Sequence, residues 1–399
     1  MRLPTFYEQN LIPNWGKHMK IEHLPINWVN GVKLTKDHFF GNYYNMIESL
    51  YGSIENQLTN YNYGLGKALD DSNDNVEFDI SGESLDTLCV RLKKCNGLTR
   101  GGLPIIFHEG LYGDYVPTAT LPDSNSLSIE NNEFLILVSI NPYEMIPIGE
   151  PDPEVIPLHH PHVLPSIKLH IMPKSQTNKA FYSKNFLIIG EIKSHGNAFA
   201  VNRQYIPPLQ KSAYHDGLKS FINQLTHILH NIREDIRTIY SRNLSDKRRD
   251  ALANNTFVLC NAFNSFYNSR IFFIEQTAQE QPPIFLIQAV NELANGFVSA
   301  LQTLSETMRE ELLQYYYEWT NITPSDFMHS IENVTGITYE HTDISSSLHT
   351  LGAFLSLLER MFHKMGELEY IGLVRENIVV GEESPVSVQE EKKKKWSFM

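Results

Sequence analysis

Cysteine is scarce in this chain, with three in 399 residues: Cys89, Cys95 and Cys260. An odd and sparse set excludes the even disulfide framework of a stapled secreted domain. The step from Cys89 to Cys95 matches no metal-ligand spacing, so all three are expected to be reduced bystander thiols in a cytoplasmic protein. Positive charge is also short. Lys and Arg number 33 against 46 Asp and Glu, a formal net charge of −13. Phosphate binding needs a cationic excess on at least one face, so no nucleic-acid partner is expected and protein partners are. No stretch approaches the roughly 18 uncharged apolar residues that span a bilayer. The opening Met-Arg-Leu-Pro-Thr-Phe-Tyr-Glu has no signal-peptide core.

Spacings that carry chemistry are missing too. His108-Glu109-Gly110 lacks the second histidine of a zinc-protease helix. The glycine-rich Gly97-Leu98-Thr99-Arg100-Gly101-Gly102 lacks the Lys-Ser/Thr ending of a phosphate loop and reads as a hairpin turn. His159, His160 and His162 lie on proline-rich chain that fixes no tetrahedron, even with His170 nearby. Asp70 and Asp71, like Glu150, Asp152 and Glu154, sit in turn-forming text and read as solvated loop acids. The expectation is no catalytic residue, no metal, no cofactor and no small-molecule substrate.

What the chain does have is enough apolar text to fold: 42% apolar and 20% charged residues over a length that favours two or three domains. Residues 1–25 read as an irregular N-terminal arm. From Asp37, a plausible N-cap, to about Asp70 the residues Phe39, Phe40, Tyr43, Met46, Ile47, Leu50, Tyr51, Ile54 and Leu58 recur at helical steps. Between about 75 and 210 the text turns to short apolar runs punctuated by Gly, Pro, Asn and Asp. Candidate strands are Val76 to Ile80, Leu88 to Leu92, Leu103 to Phe107, Phe134 to Ile140, Ser166 to Met172, Phe186 to Ile192 and Ala198 to Val201. That pattern predicts an antiparallel sandwich. Pro142 to Pro165 holds seven prolines and is expected to be an extended surface loop.

After Pro207 and Pro208 the period is helical throughout. Leu218, Leu225, Ile232 and Ile239 step by seven along a helix of about 23 residues. A second helix is expected from Ser245 to Asn268, and a third from Pro282 and Pro283 through Leu312 and Leu313. A short one follows near Pro324 to Val334, and a long one from Ser345 to about Tyr370. The fold class is therefore α+β: an N-terminal antiparallel β-sandwich over 26–208, with its early helix at about 37–70, then an α-helical bundle over 209–372. Residues 373–399 are expected to form a charged, disordered tail.

Three ordered motifs give the chain a resemblance. The segment Ile26-Asn27-Trp28-Val29-Asn30-Gly31-Val32-Lys33-Leu34-Thr35-Lys36-Asp37-His38-Phe39 resembles the opening signature of the TssK family, the type VI secretion baseplate components, through Trp28, Gly31, Leu34, His38 and Phe39. Gly190-Glu191-Ile192, a turn at Gly196 and Asn197, then Phe199, Val201 and Tyr205-Ile206-Pro207-Pro208 is similar to the family's strand, turn, strand and Ile-Pro-Pro hinge. Thr323-Pro324-Ser325-Asp326-Phe327, Gly336 and Tyr339-Glu340-His341-Thr342-Asp343-Ile344 match the bundle in the same order.

The resemblance implies a homotrimer whose shell grips TssF- and TssG-like wedge proteins. Trp28, Leu34 and Phe39 would seat the first strand and helix, while Ile206, Pro207 and Pro208 would stiffen the shell-to-neck hinge. Leu218, Leu225, Ile232 and Ile239 would be the candidate oligomer interface, against the alternative of a bundle closed within one chain. Family members continue into a head domain that docks on the membrane complex. Only about 27 residues follow Gly372 here, so that head is expected to be missing. A membrane-complex protein remains a candidate partner at the C-terminal end, through Lys392, Lys393, Lys394, Lys395 and Trp396. The alternatives are a phage-like tail or receptor-binding structural protein, and an enzyme whose site has no recognised motif.

Overall fold

Broken apolar runs build sheets here and periodic stripes build helices, and the change falls at the Pro207-Pro208 linker. The computed structural model describes residues 22–70, 74–81, 88–121, 133–176, 184–195, 198–244 and 251–372. Most of the arm (1–21), the Gly196-Asn197 turn, the Ser245 cap and the whole tail, with Lys392, Lys393, Lys394, Lys395 and Trp396, lie outside the described residues.

Helix α1, Lys36–Glu55, comes first, and its N-cap is Thr35 rather than Asp37. The Thr35 side chain and the His38 ring cap one another, His38 Nδ1 lying 2.9 Å from Thr35 Oγ1, which satisfies donors left bare at a helix start. The helix stops at Glu55, well short of Asp70, because residues 64–65 leave to join the sheet as β1, Gly64–Leu65.

Among the described residues, nine strands form two antiparallel sheets. The first is organised around β3, Cys89–Leu98. One edge of β3 pairs with β1 and with β2, Val76–Ser81; the other pairs with β4, Pro104–His108, and β5, Thr118–Thr120. The turn from β3 to β4 is the glycine-rich segment, where Gly102 takes a φ of 81°. The second sheet runs in the order β7-β6-β8-β9, with β6 Glu133–Ile148, β7 His162–Pro173, β8 Phe186–His195 and β9 Ala198–Val201. Phe134, Ile136 and Val138 of β6 face the first sheet and join its core with Leu92, Ile105 and Phe107. Leu135 and Leu137 point the other way and are covered with Ile188 by Tyr205, so the centre of β6 is apolar on both faces.

The proline-rich stretch departs from its expectation. Rather than a loop from Pro142 to Pro165, β6 continues to Ile148 and β7 begins at His162, with a register shift between Asn141 and Met145. Prolines are tolerated because β8 pairs with β6 only over Glu133–Ser139, so beyond that point β6 has an open edge that needs no donor.

The helical half comprises α2 Asp216–Leu244, α3 Ala251–Phe272, α4 Pro283–Gln302, α5 Glu306–Thr320, α6 Pro324–Thr335 and α7 Ile344–Glu367. At 29 residues α2 outlasts the expected stripe. The single third helix expected from Pro282 to Leu313 is two, because Ser305 accepts the Met308 amide at 3.3 Å and starts α5 afresh. Helix α4 alone among the described residues is long and apolar enough to pass as a membrane span by composition. It is a core helix here: Leu286, Val290, Leu293 and Phe297 are buried in the bundle and Glu292 is paired with Arg270 at 2.6 Å.

One assignment is overturned. Leu218, Leu225, Ile232 and Ile239, the candidate oligomer interface, are all buried within the chain, together with Ile222, Leu229 and Ile236. A stripe that repeats by sevens fits any helix partner, and here α7 and α3 of the same chain supply it.

Candidate functional site

The residues singled out by the sequence gather in two places: the seam where the sandwich meets the bundle, and the outer surface around α1. The seam begins at Gly64, whose φ of 122° and crowded surroundings exclude any side chain: a Cβ would lie 2.2 Å from the Pro208 carbonyl. The close approach lets Leu65 N donate to Pro208 O at 2.8 Å and Gln210 N to Leu65 O at 3.1 Å, so the linker runs as a parallel partner of β1. Ile206, Pro207 and Pro208 are buried in this contact.

Across the linker, the Ser345 hydroxyl at the start of α7 donates to Gln204 O at 2.8 Å and accepts from Ile206 N at 2.9 Å. The Tyr205 hydroxyl donates to Thr342 O at 3.0 Å. Asn75, just before β2, donates to Gly66 O at 3.0 Å and to Tyr214 O at 2.8 Å. Asp343 occupies the cap position of α7 without a side-chain cap bond.

His341 closes the seam. It is 5% exposed, its Nε2 is 2.8 Å from Tyr63 O, and its Nδ1 is 2.6 Å from the Tyr339 hydroxyl. A carbonyl can only accept, so the proton sits on Nε2 and Nδ1 accepts from Tyr339. Burial holds the ring neutral, its pKa lowered to about 4 mainly by desolvation, and pushes the Tyr339 phenol up for the same reason.

A second buried polar group was singled out in the sequence only as part of the Gly190-Glu191-Ile192 motif, without its burial being foreseen. Glu191 of β8 is almost wholly buried; Lys174 Nζ lies 2.8 Å from its Oε2, and Asn202 Nδ2 donates to its Oε1 at 2.6 Å. Glu133 ties the neighbouring Lys193 into the same network at 2.9 Å, and these lysines hold the Glu133 carboxyl below its usual range. The only sequence hint was an acid set in the apolar run from Phe186 to Ile192. Of the thiols, Cys95 is buried and its pKa is pushed up to about 12. No cluster of three or more His, Cys, Asp or Glu able to hold a metal occurs among the described residues.

The outer surface also corrects the sequence. Trp28, Leu34 and Phe39 do not seat a strand and helix within the chain: residues 26–34 form no strand, Trp28 is 49% exposed and Phe39 61%. Gly31 makes a turn at φ 88°, and the Trp28 ring lies 5.7 Å from that of His38. The start of this segment is anchored, since Glu48 of α1 accepts from the amides of Glu22 at 2.7 Å and His23 at 2.8 Å. Helix α1 carries two apolar stripes. Tyr44 meets Tyr143 edge-on at 5.4 Å, Tyr51 packs on the core, Ile54 lies beside Gly102, Ile47 is buried and Phe40 packs on Tyr44; Phe39, Tyr43, Met46 and Leu50 face outward, Met46 being 64% exposed.

The chain is thus an α+β protein in which an antiparallel sandwich is locked to a helical bundle through a buried, hydrogen-bonded seam. No protein-family model matches it and no curated protein does. Solved structures do. "Crystal structure of TssK" is 15% identical, with 84% of this chain and 68% of that chain covered and a TM-score of 0.49. A TssK from T6SS EAEC in complex with nanobody nb18 is 17% identical, covering 81% and 99% at 0.46. The TssK-TssF-TssG baseplate subcomplex of a type VI secretion system is matched at 17% identity, covering 86% and 99% at 0.46.

Proposed function

We propose that this chain is a homotrimeric, non-catalytic adaptor of a type VI secretion baseplate, holding TssF- and TssG-like wedge proteins at the cytoplasmic face of the inner membrane. The ordered motifs around Trp28, Ile206-Pro207-Pro208 and Tyr339-His341-Asp343 support the family. The observation that carries the assembly role is the outer stripe of α1. Of its 20 residues only Ile47 is buried, and a helix of that length gains most of its stability from a packed apolar face. Phe39, Tyr43, Met46 and Leu50 follow one another at steps of four, three and four, the seam of a helix-helix contact, with no cover among the described residues. A neighbouring subunit covers them.

Light scattering at micromolar concentration tests the reading, with three times the chain mass of 45.8 kDa expected. The pair Met46→Glu and Leu50→Glu is expected to release monomers while unfolding stability changes by no more than about 0.5 kcal/mol, as for exposed sites. A wild-type chain that stays monomeric ends the trimer assignment. Co-purification with the products of neighbouring genes tests the wedge assignment separately.

A further inference from the structure

The β6–β7 hairpin outruns the sheet that contains it. Its root is firm: Ile146 and Leu164 pack partly into the core, and the Tyr112 and Tyr115 hydroxyls donate to Pro165 O at 3.0 Å and Ile167 O at 2.6 Å. Lys168 pairs with Glu144 across the two strands at 2.9 Å. Beyond the root, every residue from Pro151 to Val163 is exposed. At the apex Ile156 is 94% exposed and Leu158 66%, with Val155 beside them.

This apex is braced. The amides of Val155 and Glu154 donate to Asp152, to its carbonyl at 3.1 Å and its Oδ1 at 2.9 Å. His160 Nδ1 donates to Gly149 O at 2.7 Å, and Gly149 turns at φ 88° against the Pro161 ring. Holding three apolar side chains in water on a fixed arm gives a single chain nothing, whereas a preformed apolar projection lowers the ordering cost of binding.

Charge selects the occupant. No Lys or Arg lies between Arg100 and Lys168, while Glu144, Glu150, Asp152 and Glu154 line the arm. Nucleic acid and anionic lipid are repelled by that set. Along the open edge of β6, Pro142 and Pro147 offer no donors, which disfavours strand addition there. We propose that Val155, Ile156 and Leu158 form a plug that enters an apolar pocket rimmed by Lys and Arg on a wedge protein. This partner assignment rests on the baseplate reading above.

The test uses the full chain and the purified wedge subcomplex from the same gene cluster, with binding followed by calorimetry and stopped-flow mixing. Ile156→Asp with Leu158→Asp is expected to weaken binding at least about tenfold, with an unchanged melting curve because both sites are exposed. Glu150→Lys with Glu154→Lys is expected to slow association about tenfold at low salt, an effect that disappears at high salt. Wild-type-like affinity in the Ile156→Asp, Leu158→Asp variant overturns the plug and leaves the baseplate reading intact. A wild-type chain that ignores the wedge subcomplex overturns both. Binding of the wild-type chain to phosphatidylglycerol vesicles, in place of wedge binding, overturns the charge argument.

Discussion

At the scale of single residues the informative positions are buried polar groups whose partners are far away in sequence. His341 is the clearest. Its folded pKa of about 4 lies below the ordinary 6.5, so the unfolded chain takes up the proton first as pH falls. The stability it contributes is fully present above pH 6.5, drains away between 6.5 and 4, and amounts to about 3 kcal/mol over that window. Denaturant titrations at pH 7 and pH 4.5 should show this loss. In His341→Phe the pH dependence should flatten, while stability at pH 7 drops by about 2 kcal/mol because Tyr63 O and the Tyr339 hydroxyl lose their partner. An equal pH slope in both proteins would remove His341 as its source. Glu191 is a second buried polar group of this kind, its carboxylate held in the interior by Lys174 and Asn202.

At the scale of elements, α1 and α2 look alike as text and do opposite things. Both carry apolar residues at heptad-like steps. In α2 the stripe Leu218, Leu225, Ile232 and Ile239 is enclosed by helices of its own chain, while in α1 the stripe Phe39, Tyr43, Met46 and Leu50 faces outward. Leu225→Ala should therefore cost about 3 kcal/mol in chemical unfolding, from lost burial and the cavity left behind, without altering the mass in solution. A change of mass with little loss of stability would return α2 to the subunit interface. Sequence reading recovered β9 to the residue, and β2, β4 and α6 to within one residue at an end. It failed at the β6–β7 arm, because a proline bars a strand only where its neighbour needs a donor. It also merged α4 with α5, because Ser305 caps a helix only once the chain has turned there.

At the scale of the whole molecule, the seam couples two halves built from different kinds of secondary structure. Gly64, Tyr205, Ile206, Ser345 and His341 make bonds whose partners lie up to 278 residues apart in the chain. Sandwich and bundle should accordingly melt in one calorimetric transition. Gly64→Ala places a methyl against the Pro208 carbonyl and imposes strain of about 3 kcal/mol at the seam. The expected result is two separated transitions, the bundle outlasting the shell or the reverse. A single transition shifted as a unit would mean that the halves are held together by something other than this contact.

The amino-acid sequence by itself determined the class of the protein. Strand text before Pro207 and helical text after it follow from side-chain periodicity, a local property. The scarcity of cysteine set the expectation of reduced thiols, and that of cationic charge the expectation of protein partners, without coordinates. Which apolar stripe is enclosed inside the chain and which faces outward, and that a proline-rich run could rise as a braced arm, only the tertiary structure decided. Both depend on what lies across from a residue in space, and neither the spacing of residues along a helix nor the count of prolines in a segment carries that information.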